Sequence, residues 1–255
     1  MTGWFRAGTF LLAAAWLCGC TARYCTPGGP ADFRALGVTE EVVKDNTDWS
    51  IAQRLERKPL AGFPTAIAVV RVQDRGYRSY TASGYGYGNY TVVPIRDVET
   101  REQFDRIGGL PMVRGVATLN RLVLPDHFES DRQLRQGAAA VQADMLLVYT
   151  FDTAFEVKQK VPPLGILTLG FFPDDHASIT STASAVLMDT RNGYVYGLME
   201  ATAKKEKLAN GWTQQATVDA GRRQAEAEAF DKLVGEFETT WRRVVEEYGP
   251  PSGAG

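Results

Sequence analysis

The feature that most constrains this chain is an apolar N-terminal segment that ends in cysteine. Residues 7–17 are uncharged and mostly apolar, and they follow a short segment that carries Arg6. Eleven residues are too few to cross about 30 Å of hydrocarbon as a helix, but they suit the apolar region of an export signal. Leu17-Cys18-Gly19-Cys20 then matches the lipobox, at which a bacterial signal peptidase cuts before the cysteine. We therefore predict a signal peptide over 1–19 and a fold that forms after export.

The same motif predicts that Cys20 is acylated and that the lipid bilayer is a partner of the chain. Several acyl chains give stable anchoring, at about 0.8 kcal/mol per buried methylene. The alternative is an ordinary secretory signal cut among the small residues of 13–22. Thr21 follows the cysteine, where an aspartate would favour retention at the inner membrane. We therefore expect a protein anchored to the outer membrane, on its periplasmic face.

Composition narrows the class of protein further. At 44% hydrophobic and 23% charged residues, the chain is typical of a globular domain. Removing Arg6 with the signal changes the formal net charge from −2 to about −3, and no basic block suggests a nucleic-acid partner. Cys25 would then be the one cysteine besides Cys20. It is either a free thiol, which we favour, or part of an intermolecular bridge.

Periodicity predicts a single α/β (α+β) domain over 38–248, between a lipidated flexible tether at 20–37 and a disordered tail at 249–255. Helical patterns cover 39–57, 98–107, 129–143 and 218–248, and strand patterns cover 65–74, 112–124, 144–155, 177–190 and 194–203. Their order favours a mixed sheet with early parallel crossovers, a late antiparallel hairpin and a long C-terminal helix. Asn192-Gly193 predicts a two-residue type I′ turn in that hairpin, with Val186 opposite Tyr194–Tyr196.

Two segments are candidates for binding a partner. The first is the tyrosine-rich segment Arg75–Tyr90, in which glycines alternate with Tyr85 and Tyr87; it is either a mobile, ligand-facing loop or a surface loop packed on its own sheet. The second follows two prolines, and its apolar members are Leu164, Ile166, Leu167, Leu169, Phe171 and Phe172. It could be core, but its glycines and the prolines make a poor central strand, so we favour an exposed docking surface.

Residues suited to catalysis are sparse. The chain has two histidines and lacks the metal-binding, nucleophile-elbow and phosphate-loop motifs. Asp174, Asp175 and His176 could hold a divalent cation or act as acid and base. The alternative, which we favour, is a solvated turn between strands. Glu226, Glu228, Glu236 and Glu238 suggest the solvated face of the last helix. We expect no enzyme and no cofactor.

The segments AIAVVRV (66–72), ADMLLVYTFDTAF (143–155) and TASAVLMDTRNGYVYG (182–197) resemble the periplasmic lipoprotein superfamily that includes the curli-secretion lipoprotein. The stretch 162–203 is similar to the rhombotail lipoproteins. These resemblances imply an α/β fold and an envelope address. Some rhombotail members carry a processed apolar and basic tail, but this chain ends GPPSGAG, so tail processing is not implied.

Three functions remain open at this point. The first is a non-enzymatic interaction or assembly module that binds an envelope protein or its own copies. The second is an oligomeric export or pore component, as the curli-secretion resemblance implies, with membrane hairpins at Tyr77–Tyr90 and Val161–Phe172. Neither segment shows the apolar and polar alternation of a transmembrane strand pair. The third is a ligand- or metal-dependent enzyme at Asp174–His176.

Overall fold

The computed structural model describes residues 29–31, 47–94, 97–159, 175–209 and 214–251. The helices in these ranges are α1 (Thr47–Leu55), α2 (Arg101–Gly108), α3 (Asp131–Ala140) and α4 (Gln214–Tyr248). The strands are β1 (Thr65–Asp74), β2 (Tyr87–Gly88), β3 (Tyr90–Val93), β4 (Val113–Thr118), β5 (His127–Phe128), β6 (Met145–Gln159), β7 (Asp175–Asp189) and β8 (Val195–Ala209).

Six strands form one mixed sheet in the order β3-β1-β6-β7-β8, with β4 also paired to β1. Strand β1 is parallel to β4 and β6, whereas β6, β7 and β8 are antiparallel. Short β2 and β5 form a separate parallel pair. The predicted class is therefore confirmed: a single α/β domain with early parallel pairing, a late antiparallel hairpin and a long C-terminal helix.

Helices cover both faces of this sheet, which explains why β1 is apolar on both sides. On one face α4 packs its apolar stripe, which includes Phe230, Phe237 and Trp241, against β6, β7 and β8. Ile67 and Val69 of β1 belong to the same core cluster. The Trp241 indole N–H also donates to the Pro111 carbonyl oxygen at 2.8 Å. On the other face Leu134 and Ala138 of α3 pack with Val70 and Leu146. A strand buried on both faces needs the continuous apolar run seen at 66–70.

Local hydrogen bonds set the ends of the helices. The sequence predicts Ser130 or Asp131 as the cap of α3, and the structure has Ser130: its hydroxyl oxygen accepts from the Arg132 N–H, and its own N–H donates to Gln133 Oε1 at 3.0 Å. The helix predicted at 98–107 begins only at Arg101, because Thr100 is extended and its N–H is held by Gln103 Oε1. The strand predicted over 112–124 ends at Thr118 because a turn at Asn120 follows.

The β7–β8 turn differs from the predicted type I′ turn. The Asp189 N–H donates to the Tyr194 carbonyl, so four residues form the loop, and only Gly193 has positive φ (71°). A bulge follows, and Val186 pairs with Leu198 instead of Tyr194–Tyr196. The cause is the buried Asp189 carboxylate, which accepts from the Arg191 N–H, the Leu60 N–H and the Tyr196 hydroxyl and so organises a wider turn.

Part of the predicted flexible tether is attached to the sheet. Pro30 forms an antiparallel bridge with Gln73, and Ala31 is 3% exposed. Residues 29–31 therefore belong to the folded domain. The remaining residues of 20–37 lie outside the described ranges.

Candidate functional site: the tyrosine-rich segment and the charge cluster beneath it

The tyrosine-rich segment is packed closely on its own sheet, which was the second of the two interpretations from the sequence. A Cβ added at Gly84 would collide with the Thr91 side chain, and one at Gly86 would collide with the Phe128 ring. At Gly88 it would collide with the Phe128 backbone. The alternating glycines are therefore required by close approach to β3 and β5.

Its tyrosines occupy different environments. Tyr77 and Tyr90 are buried, and the Tyr90 ring stacks on Phe128 at a centroid distance of 5.1 Å. Tyr87, a predicted partner-binding residue, is 58% exposed and meets the His127 ring edge-on at 4.8 Å. Tyr80 is 68% exposed. Only part of this segment is therefore available to a partner.

Tyr85, the other tyrosine predicted to bind a partner, lines a surface cavity of about 390 Å³. The cavity forms because β3 and β4 share one edge of β1 and leave a gap where they end. Its wall includes Thr118 and Leu122, and the Arg121 guanidinium lies 5.0 Å from the centroid of the Tyr85 ring. Its volume is in the range of small-molecule sites.

Beneath this segment lies a buried charge cluster, made of Arg71, Asp97, Glu99, Asp219, Arg222 and Glu226. Arg71 comes from the middle of apolar β1 and is fully buried. Its guanidinium lies 3.4 Å from both Glu99 Oε1 and Glu226 Oε2, and it donates to the Tyr77 hydroxyl at 3.0 Å. It also lies 4.6 Å from the centroid of the Phe151 ring. Helix α4 is thereby connected to β1.

Arg222, on the first turns of α4, is the centre of the cluster. Its three guanidinium nitrogens contact Asp219 at 3.0 Å, Glu226 at 2.6 Å and Asp97 at 2.8 Å. Nη2 also donates to the Thr81 hydroxyl at 3.2 Å. This one side chain therefore holds α4 against the tyrosine-rich segment.

Two arginines face four carboxylates in the cluster, and the pKa values respond to burial and to these partners. Burial raises the pKa of Glu226, although Arg71 and Arg222 act in the opposite direction. Burial also acts to raise the pKa of Asp97, but the hydrogen bond from Thr81 and the charge of Arg222 outweigh it, so that pKa is lowered. Carboxylates raise the pKa of Arg222 despite its burial. Both arginines therefore stay charged.

The arrangement is suited to positioning rather than catalysis. The paired side chains of the cluster are between 0 and 6% exposed, so a substrate has no access to them. Across the part of the chain that the structure describes, no group of three or more His, Cys, Asp or Glu residues could hold a metal ion.

The other predicted site residues are placed as follows. Asp175 and His176 lie in β7, paired with Gln159 and Lys158, so the predicted solvated turn at that point is wrong: β7 begins two residues earlier than the sequence suggested. Cys20, Asp174 and the apolar residues of 164–172 lie outside the described residues.

Sequence reasoning missed the charge cluster. Glu226 was assigned to the solvated face of the last helix, but it is 1% exposed. An arginine inside the apolar run AIAVVRV was the available signal, because a charge in a strand buried on both faces requires a buried partner. The residues that partner it are distant in sequence and meet only in the folded chain.

Comparisons with known proteins give remote likenesses. No family model and no curated protein matches the chain. Protein XCC0632 from Xanthomonas campestris, of family DUF330, is 14% identical over 74% of this chain and 91% of that one, with a TM-score of 0.39. A PelC dodecamer from Paraburkholderia phytofirmans is 11% identical over 69% and 95%, with a TM-score of 0.27. Lipoprotein GNA1162 from Neisseria meningitidis is 13% identical over 63% and 97%, with a TM-score of 0.29. TM-scores below 0.5 support no inference about this chain.

Among the described helices, none is both long and apolar enough to cross a membrane.

Proposed function

We propose that this chain is a bacterial envelope lipoprotein, held on the periplasmic face of the outer membrane by acylated Cys20, that acts as a non-enzymatic interaction or assembly module. The observation that carries the proposal is the lipobox Leu17-Cys18-Gly19-Cys20 after an uncharged apolar segment. Multiple acyl chains at one cysteine give stable attachment to a bilayer.

The nature of the buried charge cluster supports a role without catalysis. Enzymes place perturbed titratable groups where a substrate can reach them. Here the carboxyl of Glu226, whose pKa is raised, is buried and contacts Arg71, Arg222 and the Thr153 hydroxyl. Such a cluster fixes the elements that surround it.

The packing of Tyr77–Tyr90 favours this module over a pore. A membrane-inserted hairpin would have to separate from Phe128 and Thr91, which the glycines contact closely. The Tyr77 hydroxyl would also leave Arg71.

Acylation is tested by substituting each cysteine separately. Cys20→Ala is expected to abolish incorporation of an acyl-chain analogue during growth and to leave an uncleaved or soluble product. Cys25→Ala is the matched control and should leave both labelling and fractionation unchanged. Label that persists on the Cys20→Ala protein would contradict the proposal.

We further propose that the apolar segment Leu164–Phe172 is where the partner or a second copy docks. Strands β6 and β7 pair with each other along their full length, from Met145–Asp189 to Gln159–Asp175, and the segment belongs to the connection between them. Strands β6 and β7 therefore pair with each other without a strand from this connection between them.

Charged substitutions in this segment separate docking from a core role. Ile166→Asp and Phe171→Asp are expected to leave the melting temperature nearly unchanged and to abolish self-association or cross-linking to an envelope partner. The measurements are circular dichroism melts, size-exclusion chromatography and cross-linked pull-down of the tagged chain. A several-kcal/mol loss of stability in both variants, as expected for an unpaired buried charge, would instead assign the segment to the core.

A further inference from the structure

The cavity beside Tyr85 lies where two strands end against the same edge of the sheet. Strand β3 is antiparallel to β1 and pairs with it as far as Arg71–Val93. Strand β4 is parallel to β1 and pairs with it as far as Val69–Thr118. The carboxyl ends of β3 and β4 therefore meet on β1, at positions only two residues apart.

From this point the chain continues to opposite faces of the sheet. The connection after β3 leads to α2, whose Ile107 belongs to the core cluster beneath α4. The connection after β4 leads to Leu119 and Leu124, which belong to the core cluster beneath α3. In open α/β sheets such a divergence leaves a crevice at the carboxyl ends of the strands, and ligands bind there. The cavity of about 390 Å³ occupies this crevice, since Pro94 and Leu119 both line it.

Hydrogen bonds hold both walls of the cavity. On the β3 side the Tyr85 N–H donates to the Val92 carbonyl at 2.7 Å, and the Val92 N–H donates to the Tyr85 carbonyl at 3.0 Å. On the β4 side Asn120 Oδ1 accepts from the Leu122 N–H at 2.9 Å, which fixes the turn that carries Arg121. A ligand would therefore enter a site that is already formed, as is usual for small-molecule sites.

The side chains of the cavity suit a ligand that is anionic at one end and apolar at the other. Arg121 is the one charged residue among the described residues that line it, and it forms no ion pair with another described residue. Its guanidinium lies over the Tyr85 ring, so one face is stacked and the N–H groups at its edge stay available. Pro94 and Leu119 supply apolar wall, and Leu122, which is 92% exposed, stands at the rim.

We infer that this cavity binds a small organic anion, with the charged group on Arg121 and the apolar body against Leu119 and Leu122. A guanidinium forms paired hydrogen bonds with a carboxylate or a phosphate. Removing the exposed Leu122 side chain from water adds to the affinity. The inference does not depend on the proposed acylation of Cys20 or on docking at Leu164–Phe172, so it is tested apart from them.

Three probes that share a naphthalene ring and differ in charge test this inference: naphthoate, naphthylmethanol and naphthylmethylamine. Isothermal titration of the purified protein measures the affinity for each. We expect naphthoate to bind at least about tenfold more tightly than the alcohol, and the amine to bind most weakly, because the guanidinium favours only the anion. Naphthyl phosphate is a fourth probe, and the tighter of the two anions identifies the charged group of the ligand.

Substitution of Arg121 assigns the binding to the cavity. Arg121→Gln should weaken naphthoate binding about tenfold and leave naphthylmethanol binding unchanged, which also shows that the variant is folded. Arg121→Lys keeps the charge without the paired N–H groups, so its affinity for naphthoate should lie between those of Arg121→Gln and the wild type. Arg132→Gln, at an exposed arginine of α3, is the matched control and should bind every probe as the wild type does.

Three results would overturn the inference. One is equal affinity of the wild-type protein for the charged and uncharged probes. Another is a preference for naphthoate that survives in Arg121→Gln, since the anion would then bind elsewhere. The third is the absence of saturable naphthoate binding at millimolar concentrations.

Discussion

Arg222→Met is expected to lower the free energy of unfolding by about 3–5 kcal/mol, because it leaves buried carboxylates without a principal cation. Asp219, Glu226 and Asp97 each lose a contact of 3.0 Å or less to the guanidinium. Chemical denaturation of the mature chain at neutral pH gives the value. The methionine retains most of the side-chain volume, so the loss reports charge rather than a cavity.

Two control variants define the cause of this loss. Arg223→Met removes the neighbouring arginine, which also contacts Asp219 but whose side chain is 44% exposed, and should cost less than about 1 kcal/mol. Arg222→Lys keeps the charge but loses the three-way geometry, so its loss should lie between the other two. Equal losses for Arg222→Met and Arg223→Met would contradict a role for the buried cluster.

The loss of unfolding free energy in Arg222→Met should become smaller as the pH falls. Burial already raises the pKa of Glu226 in the folded protein. The stability that its protonated form contributes is therefore fully present at a pH below the ordinary pKa, near 4.5, and is lost as the pH rises through the raised pKa. Removing Arg222 raises that pKa further. Asp97 adds to the same trend. Its lowered pKa stabilises the wild-type fold at higher pH, and this contribution requires Arg222, so the variant loses it there. Denaturation curves recorded between acid and neutral pH measure the trend.

Gly88→Ala is expected to destabilise the tyrosine-rich segment by about 3–5 kcal/mol, through backbone strain and overpacking together. The glycine has φ of 117°, and a Cβ there would collide with the Phe128 carbonyl oxygen and its carbon, which are backbone atoms. The β2–β5 pair must then separate. Denaturation reports the loss, and hydrogen exchange over 77–90 shows whether it is local.

Gly76→Ala is the matched control for this substitution. Gly76 also has positive φ (76°), but a Cβ there meets nothing within 4 Å. Its loss should be limited to backbone strain, about 1 kcal/mol. A Gly88→Ala protein no less stable than Gly76→Ala would show that the segment does not pack as described.

The sequence by itself determined the elements whose signal is local. The continuous apolar run of β1, the Ser130 cap and the long apolar stripe of α4 each follow from spacing along the chain, and each lies where it was predicted within a few residues. The order of these elements was sufficient for the α/β class, because parallel strands require crossovers and a short connection favours an antiparallel hairpin. The lipobox is equally local.

Only the tertiary structure decided the features that depend on residues distant in sequence. The four-residue β7–β8 turn follows from a buried Asp189 that bonds to Leu60 and Tyr196, so the Asn-Gly signal alone gave the wrong turn and register. Glu226 has the sequence context of a solvated face and is buried because Arg71 and Arg222 meet it. Residues 29–31 were predicted to belong to the flexible tether, but hydrogen bonds with Gln73 and Thr150 fix them to the sheet. A buried polar group is stable only when its partners are in place, and those partners are assembled by the fold.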